Sequence, residues 1–211
     1  MAKDAKSAFC EDSRVKFPTL MHLMGMGFKY VSLKGLKTKY VEAPKTEFDP
    51  LTNILTDYFT DAYCTLNPKA EKKDAEDMLV KIQKSLQNDD LGRQFYNEIL
   101  LNTGERIIDL SSPANFYRNN TFQVTTEMTC GSKDSDNYRP DITIFVNGLP
   151  LAFIEVKKEN NHKGIQAETD RMKQRFVNPQ YRRFLNITQI MVFSNDKAYN
   201  NNEVTLAKPQ S

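Results

Sequence analysis

Arg139-Pro140-Asp141-Ile142-Thr143-Ile144-Phe145-Val146-Asn147-Gly148-Leu149-Pro150-Leu151-Ala152-Phe153-Ile154-Glu155-Val156-Lys157 decides the fold and points to the chemistry. Both alternating sets in its second half are apolar, Leu149, Leu151 and Phe153 against Ala152, Ile154 and Val156, as in a strand covered on both faces. Asn147-Gly148 between two such runs marks a hairpin turn. Charges in a buried strand are costly unless paired or bound to a metal. Glu155 and Lys157 therefore need partners. Asp141 is the nearest candidate, placed at a sheet end because Pro140 lacks an N–H and suits the first position of a strand.

Register decides whether these groups meet. A strict two-residue turn would set Asp141 opposite Ile154 and direct it to the far face. A three-residue loop, Val146-Asn147-Gly148 with a left-handed glycine and a bulge, sets Asp141 opposite Phe153 and aligns Asp141, Glu155 and Lys157 on one face. We expect the three-residue loop. Asp141, Glu155 and the backbone carbonyl of Val156 would then offer the oxygen ligands that Mg2+ prefers. Lys157 would orient or help deprotonate an attacking water, and Lys158, on the other face, would contact phosphate or end in solvent. The same residues also admit a plain reading, a structural Asp at a strand start and an exposed Glu/Lys pair at a strand end.

The run from Arg139 to Asn160 resembles the N-terminal nuclease domain of type I restriction endonuclease R subunits, members of the PD-(D/E)xK superfamily. Arg-Pro-Asp, Asn-Gly-x-Pro and Glu-x-Lys occur in order and at close spacing. The likeness reaches upstream to Asn120-Thr121-Phe122-Gln123-Val124 and downstream to Asn186 through Asn195. Near the N-terminus it takes in Glu11, Asp12, Val15 and the stretch Leu23 to Tyr30. It implies a restriction-endonuclease-like α/β core, with a mixed central β-sheet flanked by helices. It also implies Mg2+-dependent hydrolysis of double-stranded DNA without local sequence specificity, after ATP-driven translocation by motor domains. Modification (methyltransferase) and specificity subunits would be partners. Glu11, from the first helix, would complete the metal site, although it is equally an ordinary acid in a first helical turn. The family's Gln-x-x-x-Tyr on the helix after Glu-x-Lys is absent, and Met172 and Phe176 stand near those places. Gln166, Asp170 and Gln174 share one helical face. Gln166, nearer Lys157, is the preferred substitute, with a solvent-facing role equally open.

The chain has 211 residues, 39% of them hydrophobic, enough to bury a core as one domain. We read 1–211 as a single nuclease domain, with an extra mainly helical segment at about 47–102. The Asn- and Lys-rich tail 195–211 would be a surface hairpin or a linker to motor domains. ATP would act only in those domains, because no Gly-x-x-x-x-Gly-Lys-Ser/Thr occurs here. The odd count of three cysteines argues against a disulfide framework. Two scattered histidines argue against zinc. With no signal peptide or membrane-length apolar run, a cytoplasmic protein without membrane contact is expected.

Net charge is only +2, but Lys163, Arg171, Lys173, Arg175, Arg182 and Arg183 cluster after the acidic site. Arg171, Lys173 and Arg175 on one helix would hold DNA phosphates without reading bases, or form a solvated amphipathic face. Periodicity predicts a helix at about 10–25 interrupted near Pro18, a strand at 29–33, strands at 106–110, 121–130, 141–146 and 150–157, a helix at 164–176 and a strand at 187–194. Two other functions stay open. One is a non-catalytic domain docking the other subunits or DNA, and the other is a stand-alone repair nuclease of the same superfamily.

Overall fold

The computed structural model describes residues 15–33, 37–38, 41–42, 48–102, 104–130, 138–156 and 164–194. The elements are α1 (Phe17–Gly25), β1 (Lys29–Tyr30), a two-residue antiparallel pair β2 (Lys37–Thr38) and β3 (Val41–Glu42), α2 (Thr56–Leu66), α3 (Lys72–Ser85), and a π-helical turn Phe95–Leu100. They continue with α4 (Pro113–Asn119), β4 (Phe122–Thr126), β5 (Ile142–Val146), β6 (Leu149–Val156), α5 (Gly164–Phe176), a 3-10 turn Pro179–Tyr181, α6 (Arg182–Ile187) and β7 (Ile190–Ser194). The main sheet runs β1-β4-β5-β6-β7. β4, β5 and β6 form an antiparallel meander, while β1 and β7 join its two sides in parallel. This is the expected α/β architecture with a mixed sheet flanked by helices.

Strand alternation sorts the core. Val124, Ile142, Ile144 and Ile154 pack with Leu20 and Leu23 of α1 and with Phe28. Phe145 and Phe153 point the other way, against Met172 of α5 and Tyr181, Phe184 and Leu185. Both faces of β5 and β6 are thus covered, which is why these strands lack a polar side. A third cluster lies at the hairpin tip. There Val146 and Leu149 meet Phe59 and Tyr63 of α2, Met78 and Ile82 of α3, and Phe95 and Ile99 of the π-helical turn. The helical segment therefore rests on the end of the sheet opposite Asp141.

Several boundaries differ from expectation. The helical run changes type beside Pro18 without ending there, with residues 15–16 π-helical and the α-helix starting at Phe17. Residues 51–55 precede α2 rather than joining it, with Asn53 in the left-handed region at φ 62°. No strand forms at 106–110, because side-chain amides do the work of a neighbouring strand. The Asn67 carboxamide pairs with both backbone groups of Arg106, and the Asn120 carboxamide pairs with both of Asp109. Residues 182–187 are helical, so the last strand starts at Ile190. The tail 195–211 lies outside the described residues.

Candidate active site

The hairpin turn is not the expected three-residue loop. Val146 pairs with Leu149, and Asn147 and Gly148 take φ values of 52° and 76°, the left-handed pair of a two-residue turn. Side chains fix this choice. Asn147 Oδ1 accepts the Thr121 N–H at 2.7 Å, its Nδ2 donates to Ile107 O at 2.9 Å, and Gln123 Oε1 accepts the Gly148 N–H at 3.0 Å. By itself such a turn would direct Asp141 away from Glu155. The register then shifts: Phe145 pairs with Pro150, but Ile144 pairs with Ala152, leaving Leu151 as an extra residue. Pro150 has no N–H to continue the ladder, and a bulge beside it relieves that loss. Beyond the shift Ile142 faces Ile154, so one step further Asp141 is level with Glu155. The expected alignment of these two acids arises from a bulge, not from a longer loop.

Asp141 and Glu155 end adjacent strands. Asp141 Oδ2 accepts the Val156 N–H at 2.9 Å, which lays the Asp141 carboxylate against the Glu155–Val156 peptide. Glu155 is only 5% exposed, and its Oε1 accepts the Tyr138 hydroxyl at 2.7 Å. Burial first, then the charge of Glu155, push the Tyr138 pKa far up, so the hydroxyl remains a donor. The Tyr138 ring is held edge-on by Phe153, Tyr181 and Phe184, and the Arg175 guanidinium lies 4.0 Å from its centroid. Burial and the nearby Glu155 charge also raise the Cys130 thiol pKa. On the other side Lys16 Nζ is 3.7 Å from Asp141 Oδ1 and 3.0 Å from Glu127 Oε1.

The remaining sequence candidates divide into three groups. Lys157, Lys158 and Glu11 lie outside the described residues, as does the side chain of Gln166, whose backbone belongs to α5. Arg171 and Lys173 are exposed on α5, with Lys173 3.4 Å from Asp170. Arg175, grouped with them by sequence, is half-buried and turned to Tyr138. Lys16, Glu127 and Tyr138 were not singled out by sequence. Tyr138 stands three residues before Asp141, yet nothing in that spacing signals a contact with Glu155.

A hard divalent cation fits this donor set. Two carboxylates and a backbone carbonyl supply oxygen only, which suits Mg2+ and not the softer metals that favour sulfur or imidazole. Among the described residues no group of three or more His, Cys, Asp and Glu side chains converges, so the remaining ligands would be the Val156 carbonyl, water or Glu11.

A mixed sheet with two acids at the ends of neighbouring central strands, one of them buried, places this chain among α/β proteins with a carboxylate-bearing sheet end. More narrowly, the chain belongs to the family described as the type I restriction enzyme R protein N terminus, which matches residues 9–207. Among curated proteins no match was found. No helix among the described residues is long and apolar enough to cross a membrane.

Proposed function

We propose that this chain is the Mg2+-dependent endonuclease domain of a type I restriction enzyme R subunit, with a PD-(D/E)xK-type core. It would hydrolyse phosphodiester bonds of double-stranded DNA without reading local sequence. Motor domains elsewhere in the subunit would drive DNA past the site with ATP, and modification and specificity subunits would complete the complex. Family membership supports the restriction system. The observation that carries the nuclease reading is Glu155: a carboxylate buried to 5% exposure, level with Asp141 at the end of two central strands.

In this reading Asp141, Glu155 and the Val156 carbonyl hold the ion, with Glu11 as a further ligand. When bound, the ion supplies positive charge to the scissile phosphate and lowers the pKa of water. Tyr138 holds Glu155 in one orientation by donating to Oε1. Val156 N–H does the same for Asp141. Lys157, two residues beyond Glu155, orients the attacking water and takes up charge as it builds on phosphate, with Gln166 assisting from α5. Arg171 and Lys173 on the exposed side of α5, and Lys158, contact backbone phosphates.

The test uses the assembled restriction complex. Asp141→Asn, Glu155→Gln and Lys157→Ala should each abolish double-strand cleavage while ATP hydrolysis and subunit assembly persist. Parallel loss of ATPase or assembly would favour a docking domain, and full cleavage by any of the three would remove that residue from the chemistry.

A further inference from the structure

We infer that Lys16 is a positioning residue of the carboxylate site, an internal competitor for the cation place beside Asp141, with Glu127 as the acceptor that keeps it when a divalent ion binds. This rests on the reading of Asp141 and Glu155 as metal ligands.

Lys16 is 8% exposed, unusual for a lysine, and a buried ammonium persists only with charge partners. Two acids of the described chain flank it, and they are unequal. Glu127 Oε1 at 3.0 Å is a hydrogen bond, whereas Asp141 Oδ1 at 3.7 Å is an ionic contact without one. The other Asp141 oxygen already accepts the Val156 N–H, so Oδ1 is the oxygen directed at a cation. Of the two acids, Glu127 is the more exposed, with 42% of its side chain accessible against 23% for Asp141. Losing Asp141 therefore leaves Lys16 with its closer partner.

The backbone at Glu127 supports a specific role for this acid. It adopts φ 51°, in the left-handed region that non-glycine residues seldom enter. In that conformation its N–H donates to Asp141 O at 3.2 Å. One backbone bond thus ties the two acids together at the β4–β5 end and brings both carboxylates to one ammonium. Strain at a single residue beside a charge cluster marks a position that the surroundings hold for a purpose. From below, Leu20 and Leu23 anchor α1 on the sheet, which fixes where the Lys16 stem begins. The geometry yields a three-point exchange: Asp141 shared between Lys16 and an incoming ion, and Glu127 retaining Lys16 throughout.

The exchange predicts opposite effects from its two ends, and a dependence between them. Lys16→Met removes the competitor but keeps an apolar stem. Glu127→Gln removes the alternative acceptor and leaves the ammonium to Asp141. Mn2+ and Mg2+ binding to the purified chain is measured by titration calorimetry and by the shift in melting temperature over EDTA. Lys16→Met should bind on the order of 5- to 10-fold tighter and Glu127→Gln weaker by a similar factor, the size of a modest coupling between sites. In the Lys16→Met background, Glu127→Gln should weaken binding clearly less than it does in the wild-type background, because the part of its effect that runs through Lys16 is gone. Additive effects in the double variant would reduce both residues to bulk electrostatics and overturn the inference. Unshifted affinities, or shifts of the same sign, would overturn it too. A wild-type chain that binds neither ion, with Asp141→Asn indistinguishable from it, would overturn the metal reading and this inference together. If Lys16→Met fails to fold, Lys16→Gln takes its place in the double-variant comparison, and the same outcomes decide.

Discussion

Tyr138→Phe removes one oxygen and leaves the ring. That ring keeps its contacts with Phe153 at 5.9 Å and Phe184 at 6.1 Å, and with the Arg175 guanidinium at 4.0 Å. What disappears is the 2.7 Å bond to Glu155 Oε1. A hydrogen bond to a charged group contributes about 1.5–3 kcal/mol, and a buried carboxylate stripped of one partner puts the loss in the upper half of that range. We therefore expect a loss of about 2–3 kcal/mol. At roughly 2–4 °C per kcal/mol for a chain of this size, melting should fall by about 4–12 °C. Calorimetric unfolding of the wild type, Tyr138→Phe, Glu155→Gln and the double variant measures the coupling directly. The loss from Tyr138→Phe should shrink in the Glu155→Gln background, where the acceptor is neutral. A drop below about 2 °C, or an equal drop in both backgrounds, would show that the ring and not the bond stabilises this corner.

Asn147→Ala should cost about 3 kcal/mol or more in chemical denaturation, because Thr121 N–H, Ile107 O and Asn120 Oδ1 all lose a buried partner and the left-handed backbone remains. A loss under about 1 kcal/mol would mean that the tip tolerates another turn. In alkali, the buried Tyr138 and Cys130 have pKa values raised above ordinary values of 10.0 and 9.0, so the unfolded chain releases these protons first. Their contribution is complete below those ordinary values and fades as pH climbs past them; denaturation midpoints should fall above about pH 9, less steeply in Tyr138→Phe. In acid the sign reverses for Asp109, whose carboxyl is held at about 2 by the Ser111 hydroxyl and the Asn119 amide. Its contribution is present above the ordinary 3.8 and disappears as pH falls towards 2, so Asp109→Asn should flatten the acid limb of the stability curve.

The central hairpin and α5 were legible because their signals are local. Two apolar runs around Asn147-Gly148 give the strands, and apolar spacing from Ile165 to Phe176 gives the helix. That Asp141 and Glu155 share a sheet face was legible too, since charges in a doubly covered strand require company, although Asp141 was expected opposite Phe153. Its cause was not: Pro150 in a buried strand, a residue that should break a ladder, marks the bulge, but the same residue after Asn147-Gly148 is equally compatible with a longer loop. Lys16 and Glu127 were illegible for a different reason. They lie 111 residues apart, and only the docking of α1 on the sheet brings them together. The run 106–110 imitated a strand because Ile107, Ile108 and Leu110 are apolar, yet its backbone is paired by the Asn67 and Asn120 side chains, whose reach is invisible to periodicity.

The displaced residue in β6 makes the hairpin a phase shifter. Its tip is clamped to the helical segment, where the Leu55 N–H donates to Gly148 O at 2.9 Å, while its open end carries the acids. Each end obeys its own count, and Leu151 converts one into the other. Grafting a hairpin tip from another protein onto these strands would thus succeed or fail by a single residue. A graft that restores a regular ladder would preserve every apolar contact near the turn and still rotate Glu155 out of step with Asp141. Deletion of Leu151 is the converse case: it removes the extra residue and keeps the pairs on either side, so a ladder without a bulge would still hold Asp141 in step with Glu155.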